Sequence, residues 1–364
     1  MLMKSTILIA VYLIVAQNIL FANGLKPGFS KTEYLEMLKL YSWQSKEDFS
    51  DTTSLKSRFR LAYRSPIVGL QNRWDLCISK DSIVVVNIRG TVGNSTSWLE
   101  NFYSAMLPAT GKITLSNDYV FDYHLADNPR AAVHAGWLIG TGFLAPGIVS
   151  KIDSCLKLGF HDFIITGHSQ GGAIAYLMTS HLLYLQKTGY WKSKIQLKTY
   201  CSAAPKPGNL YYAYDYESNT YGGWAFNVVN TADWVPEVPF TTQTTSDYNP
   251  TNPFTDVQIL LGKQKPFKRW ALKYMYKRLT KPSKKAVKRH QKYLGKMAGK
   301  YVKGNLPTFI EPTYYNSMNY RRAGNFVVLK ADAEYFEKYP EKDKNIFIHH
   351  MLKPYAYLVR KLPD

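Results

Sequence analysis

Short runs of apolar, β-branched residues alternate along this chain with segments of helical period. Ile83–Ile88 (IVVVNI) is apolar at five of its six positions, between the breakers Asp81-Ser82 and Arg89-Gly90. A strand that does not alternate is covered on both faces, as in a parallel sheet. Residues 163–166 form a second such run, leading into Gly167, and 197–202, 226–230 and 326–329 are further short strands. From Gly171 to about Gln186 the period becomes helical, with Ile174, Leu177, Met178, His181, Leu182 and Leu185 on one side. Strands alternating with helices predict an α/β fold with a mostly parallel central sheet flanked by helices. A chain of 364 residues can bury a full core of that kind.

After an Asn-, Thr- and Pro-rich loop at 241–253 the pattern changes. Phe267, Trp270, Ala271, Tyr274, Met275 and Leu279 fall at helical spacing with Lys and Arg between them. Pro282-Ser283 predicts a break, with Ser283 as the next N-cap. A second series, Ala286, Val287, Tyr293, Leu294, Met297, Ala298, Tyr301 and Val302, ends at Gly304. Two amphipathic helices are expected, each with one apolar stripe and a basic face.

Charge sharpens this picture. The net charge is +20, and sixteen Lys and Arg lie between Lys263 and Lys303, while no Asp or Glu occurs from Val257 to Ile310. Most of the excess therefore belongs to one segment. Three readings remain open: helices lying on an anionic membrane surface, a nucleic-acid footprint, or helices packed on the body with lysines in solvent. The N-terminus argues against nucleic acid, because it reads as an export signal. Lys4 precedes an apolar run over 6–16, and Ala22 and Gly24 offer small residues for cleavage. Residues 1–24 are thus expected to be removed, leaving 25–364 as a secreted or periplasmic chain, with membrane association one of the readings open for its basic helices. A retained anchor is the alternative, although Gln17-Asn18 interrupt the run short of the ~20 residues a span needs. No later segment reads as apolar enough to cross a bilayer. Cys77, Cys155 and Cys201 show no metal or redox spacing. One disulfide or three buried thiols both fit, and no metal or cofactor is expected.

Gly167-His168-Ser169-Gln170-Gly171 fits the G-x-S-x-G pattern, after a strand and before a helix. Small residues two before and two after the serine allow the tight strand-to-helix turn that lifts a nucleophilic hydroxyl out of the sheet. Such a hydroxyl needs a positioned base, and the base needs an orienting acid.

The stretch 164–175 (IITGHSQGGAIA) resembles the nucleophile elbow of the class 3, fungal-type triacylglycerol lipases. Other landmarks follow in register. Arg89-Gly90-Thr91 with Trp98-Leu99-Glu100 resembles the family's oxyanion strand and the start of its lid, and 133–137 (VHAGW) the segment beside the elbow. Residues 204–209 (APKPGN) resemble the next turn, and 229–236 (VNTADWVP) the acid-bearing loop. The resemblance implies the α/β-hydrolase fold and a serine esterase acting on lipid esters, with an acyl-enzyme formed on Ser169. It implies Asp233 as the acid, with Asp215 and Asp256 as alternatives. It also implies an oxyanion hole from the N–H of Gln170 and the N–H and hydroxyl of Thr91. Only His290, His349 and His350 follow Asp233. The family carries its base on a loop opening the last helix, which points to His349 or His350, and spacing to Tyr355 favours His350. Trp98, Leu99, Phe102, Met106 and Leu107 are candidates for a lid, and His134 for a packing residue. The sequence departs from the family in having Gln170 where Leu is usual, Arg322 where His is frequent, and a basic insertion over about 241–318. Triacylglycerols, phospholipid acyl chains and aryl esters all remain open as substrates. The alternative from another class is a non-catalytic protein of this fold that binds anionic membranes through the basic helices.

Overall fold

A computed structural model describes residues 24–45, 57–255, 257–341 and 345–363. The expected export signal, except Gly24, and the alternative acid Asp256 lie outside these residues.

The main sheet has seven strands: β1 (Phe59–Arg64), β2 (Trp74–Ser79), β3 (Ile83–Ile88), β8 (Asp162–His168), β9 (Gln196–Ser202), β11 (Ala225–Asn230) and β13 (Asn325–Leu329), adjacent in that order. From β3 to β13 every pairing is parallel; β2 runs antiparallel to both β1 and β3. The continuous apolar runs have a direct explanation. Val84, Val86 and Ile88 join one buried cluster, and Ile83 and Val85 join the other. Phe163 and Ile165 divide from Ile164 in the same way. The first cluster is covered by the helices Ala135–Lys157 and Gln170–Lys187, and the second by Lys31–Ser42 and Leu352–Arg360. With both faces buried, alternation has nothing to report.

A second sheet, β4 (Met106–Pro108), β7 (Ala132–His134), β10 (Gly208–Asn209) and β12 (Tyr320–Arg321), is antiparallel, and β5 (Thr110–Ser116) pairs with β6 (Tyr119–His124) as a hairpin. Met106 and Leu107 lie in β4 and are buried, so they are not lid residues as expected. The helix Ala135–Lys157 is apolar and long enough to cross a bilayer, contrary to the sequence expectation, but most of it is buried against the sheet. Its apolar length is that of a core helix. Cys77, Cys155 and Cys201 are free, buried thiols.

The basic insertion leaves and re-enters the body at one point, where Thr242 bridges to Met318. Its helices break in a different place from the expected one. A single helix, Pro266–Gln291, runs through Pro282, and Ser283 caps nothing; its hydroxyl donates to the Thr280 carbonyl at 2.9 Å. Proline inside a helix removes one backbone hydrogen bond. Here the carbonyl it leaves unpaired belongs to Arg278, four residues back, an exposed residue. The interruption comes at a π-helical turn, Lys292–Met297, before the helix Ala298–Asn305. Packing dictates that turn. Ala105 N–H donates to the Leu294 carbonyl at 2.9 Å, and a β-carbon on Gly295 would lie 2.9 Å from that of Ala105.

Candidate active site

β8 ends at His168, and Gln170 already opens the next helix, so Ser169 alone makes the turn. Its φ of 60° and ψ of −130° are strained for a residue with a side chain. Glycines permit the turn. A β-carbon on Gly171 would lie 2.2 Å from the Ile88 carbonyl oxygen, and one on Gly167 would lie 2.2 Å from the Gly171 carbonyl carbon. Gly90, beside Thr91, is also confined, since a β-carbon there would lie 2.8 Å from the His168 carbonyl oxygen. Ser169 N–H donates to the Ser202 carbonyl at 2.9 Å, while its hydroxyl makes no helix cap.

Asp233 sits buried in the loop after β11 and accepts three hydrogen bonds. Oδ2 takes His350 Nδ1 at 2.7 Å and the Tyr355 hydroxyl at 2.8 Å, and Oδ1 takes Val235 N–H at 3.0 Å. Burial alone pushes this carboxyl up. The bond and charge of His350, with Val235 N–H and Tyr355, together outweigh burial and hold it below the usual range. With Nδ1 engaged, Nε2 is the His350 nitrogen left for the cavity that His350 and Ser169 both line.

His349 is turned elsewhere: Nδ1 meets the Tyr335 hydroxyl at 2.8 Å, and Nε2 lies 3.5 Å from Glu341. Asp215 accepts from Asn128 N–H, and His290 meets Ser104 Oγ at 3.2 Å. His134 is buried, stacked on Trp137 with centroids 3.6 Å apart, and burial holds its imidazole neutral.

Several residues around the site escaped the sequence reading. His168 Nε2 donates to the His350 carbonyl at 2.8 Å, fixing the loop that carries the imidazole. That tautomer leaves His168 Nδ1 to accept from Ser202 Oγ at 3.0 Å, and Ser202 in turn accepts from the Tyr34 hydroxyl. Burial, reinforced by the adjacent His350, lowers His168 to about 3, consistent with a neutral ring. Asn230 Nδ2 donates to the His349 carbonyl at 3.0 Å, tying the same loop to the end of β11. The only hints in the sequence were that Asn230 ends a strand and that His168 fills the free position beside the nucleophile.

On the opposite side, Trp137 Nε1 donates to Asn101 Oδ1 at 3.0 Å, which orients Asn101 Nδ2 toward Thr91 Oγ1 at 2.9 Å. Thr91 then donates its single hydroxyl hydrogen to Gln170 Oε1 at 2.6 Å. Behind them Glu100 is fully buried and raised to about 8, because burial outweighs its contacts with Asn72 and Gln170. A polar network thus fixes both candidate oxyanion residues from beneath.

Ser169, Gln170, Thr91 and His350 open onto one cavity of about 840 Å³ with mainly apolar walls. Trp98, Phe102, Trp234, Phe240 and Phe347 contribute its aromatic surface. Of the expected lid residues, Trp98 and Phe102 are there, and Leu99 packs toward the core. Leu294 of the insertion also reaches the wall. Among the described residues no group of three or more His, Cys, Asp or Glu is placed to hold a metal ion.

Residues 85–243 match the model of the class 3 lipase family. No curated protein matches the chain. Among solved structures, a Rhizomucor miehei lipase in its propeptide complex is 18% identical over 59% of this chain and 65% of its own, with a TM-score of 0.40. A triacylglycerol lipase from Penicillium expansum is 16% identical over 58% and 75% of the two chains, with a TM-score of 0.41. For a lipase from Rhizopus microsporus var. chinensis the values are 19%, 60%, 73% and 0.39. The chain thus spans slightly under two thirds of the Rhizomucor chain it aligns with. The matched segment, somewhat under half of the chain, contains the strained elbow, the Thr91 turn and Asp233 on a mostly parallel sheet, and over it this α/β chain is similar to the class 3 lipase family.

Proposed function

We propose that this protein hydrolyses carboxylic esters of lipids through an acyl-enzyme on Ser169, with His350 as base and Asp233 as its orienting acid. One observation carries the reading: His350 is held on a buried carboxylate by Nδ1 and shares a cavity with a serine in strained geometry whose hydroxyl caps no helix.

The steps follow from those positions. His350 Nε2 takes the Ser169 proton, and the oxygen attacks the ester carbonyl carbon. The carbonyl electron pair moves onto oxygen, where the N–H groups of Gln170 and Thr91 receive it. Donors of that kind contribute roughly 3–4 kcal/mol each. Collapse expels the alcohol, which takes the proton back from His350. Water, deprotonated by the same imidazole, then attacks the acyl carbon and releases the acid. The apolar cavity fits an acyl chain, and its exposed rim residues Phe102 and Phe240 suit an insoluble substrate met at a surface.

Within this reading, residues 1–24 direct export and are removed. The remaining 25–364 form one hydrolase domain carrying the insertion at about 241–318. Basic residues between Lys263 and Lys303 hold the enzyme on anionic lipid.

Release of p-nitrophenol from esters of increasing chain length tests the chemistry. Wild type should turn over medium and long chains, and Ser169→Ala should not. Equal turnover by both proteins, or none by either, would end the proposal.

A further inference from the structure

The helix Pro266–Gln291 has two apolar faces, and only one meets the protein. Leu272, Tyr276, Thr280 and Ser283 are half-buried, and they continue the line to the buried Val287 and His290. That face ends at Ser104, against the cavity wall. The second face runs Phe267, Trp270, Tyr274, Met275 and Leu279. Phe267 is 81% exposed, Trp270 65% and Leu279 75%. Its contacts are mostly internal: Trp270 stacks on Tyr274 at 5.9 Å, Phe267 lies 6.3 Å from Trp270, and the Arg278 guanidinium sits over Tyr274. Single exposed apolar residues are ordinary, but a contiguous stripe of five marks a surface that something covers.

The helix itself says what chemistry that partner has. It carries ten Lys and Arg and no Asp or Glu, and among the described residues none of the ten pairs with a carboxylate. The partner is therefore anionic. It also offers apolar depth, because Met275 and Leu279 have no stacking use against bases and would stay wet on a phosphate backbone. Lysines and arginines flanking an aromatic and aliphatic stripe match the boundary between headgroups and acyl chains.

We propose that the outward stripe of this helix docks the protein on an anionic lipid surface, with Phe267, Trp270 and Leu279 entering the acyl region and the flanking cations meeting headgroups. Docking would set the cavity against a lipid surface, because the same helix leads into the π-helical turn whose Leu294 lines the cavity wall. The proposal rests on the lipid-ester reading for its purpose, but not for the binding itself.

Co-sedimentation with vesicles of phosphatidylglycerol and phosphatidylcholine, compared with phosphatidylcholine alone, tests it on the full chain. Ser169→Ala protein should bind the anionic vesicles as wild type does, and binding should weaken with salt. The triple change Phe267→Ser, Trp270→Ser, Leu279→Ser should lower anionic-vesicle binding by about tenfold or more. So should Lys268→Glu, Lys273→Glu, Lys277→Glu and Arg278→Glu combined. Both sets are exposed positions, and hydrolysis of a soluble short-chain ester, unchanged in both variants, controls for folding. Wild-type binding that either set leaves intact overturns the assignment. Binding to duplex DNA that the serine changes abolish, with no vesicle binding, overturns it in favour of nucleic acid. Loss of ester hydrolysis with docking intact would strike only the catalytic reading.

Discussion

Replacing Asp233 by Asn tests the acid more sharply than deleting it, because the new side chain has the same shape. The carboxylate accepts two hydrogen bonds on Oδ2 and one on Oδ1. An amide has only one acceptor oxygen, so one of these positions must receive an NH2 group. Placing it at Oδ1 sets two donors against each other at Val235 N–H and leaves a buried backbone donor unmade, costing about 1–3 kcal/mol. Placing it at Oδ2 is easier. The Tyr355 hydroxyl can turn to accept, and the His350 ring can shift its proton from Nδ1 to Nε2. The second arrangement therefore wins, and it points an N–H instead of a lone pair toward Ser169. An imidazole in that tautomer cannot act as base. In serine hydrolases the same inversion costs about 10⁴ in kcat, equivalent to ~5 kcal/mol. We expect that loss in kcat for p-nitrophenyl esters, with KM and thermal stability little changed. A drop of less than about tenfold would refute both the tautomer argument and the role of Asp233.

Three further outcomes follow from buried polar groups. Gln170→Leu frees the Thr91 hydroxyl hydrogen for the oxyanion and should raise kcat about fivefold, the worth of one neutral hydrogen bond; Thr91→Val should cancel the gain, and no gain in kcat refutes it. Lys198 is buried with Nζ 2.5 Å from Glu33, so Lys198→Met should lower stability by about 3 kcal/mol or more in urea unfolding, and adding Glu33→Gln should recover part of it. Burial depresses His168 to about 3 and His181 and His290 to about 4. Each imidazole is protonated in the unfolded chain below about 6.5 but stays neutral in the fold, so its contribution is present above that pH and is lost as pH falls toward the folded value. Glu100, raised to about 8, acts in the opposite sense, but three imidazoles outweigh one carboxyl. The melting temperature should therefore fall steadily from pH 6.5 to 4, and a flat or rising profile contradicts this.

What could be read from the sequence was what local pattern determines. β3 was expected at Ile83–Ile88 and occurs there, because a doubly covered strand must be apolar at nearly every position. The elbow was legible because Gly167 and Gly171 have no room for a β-carbon. Met106 and Leu107 misled, since an apolar pair looks the same in a lid as in a buried strand. Pro282 misled because a proline costs a helix one backbone hydrogen bond without always ending it, and here the helix runs through. The apolar stripe of Phe267 to Leu279 was visible, but periodicity does not say whether a stripe is covered, and here the neighbouring face is the one that packs. Spacing to Tyr355 already favoured His350 over its neighbour, but the contacts of His168, Asn230 and Asn101 depend on side chains distant in sequence converging. No local signal encodes that.

Labelling with a fluorophosphonate probe addresses the central claim without any choice of substrate. The account predicts rapid modification of folded wild type at Ser169, identified by peptide mass, absent in Ser169→Ala and slowed at least a hundredfold in His350→Ala. Folded wild-type protein that resists the probe, or that is modified equally fast without the imidazole of His350, would contradict it.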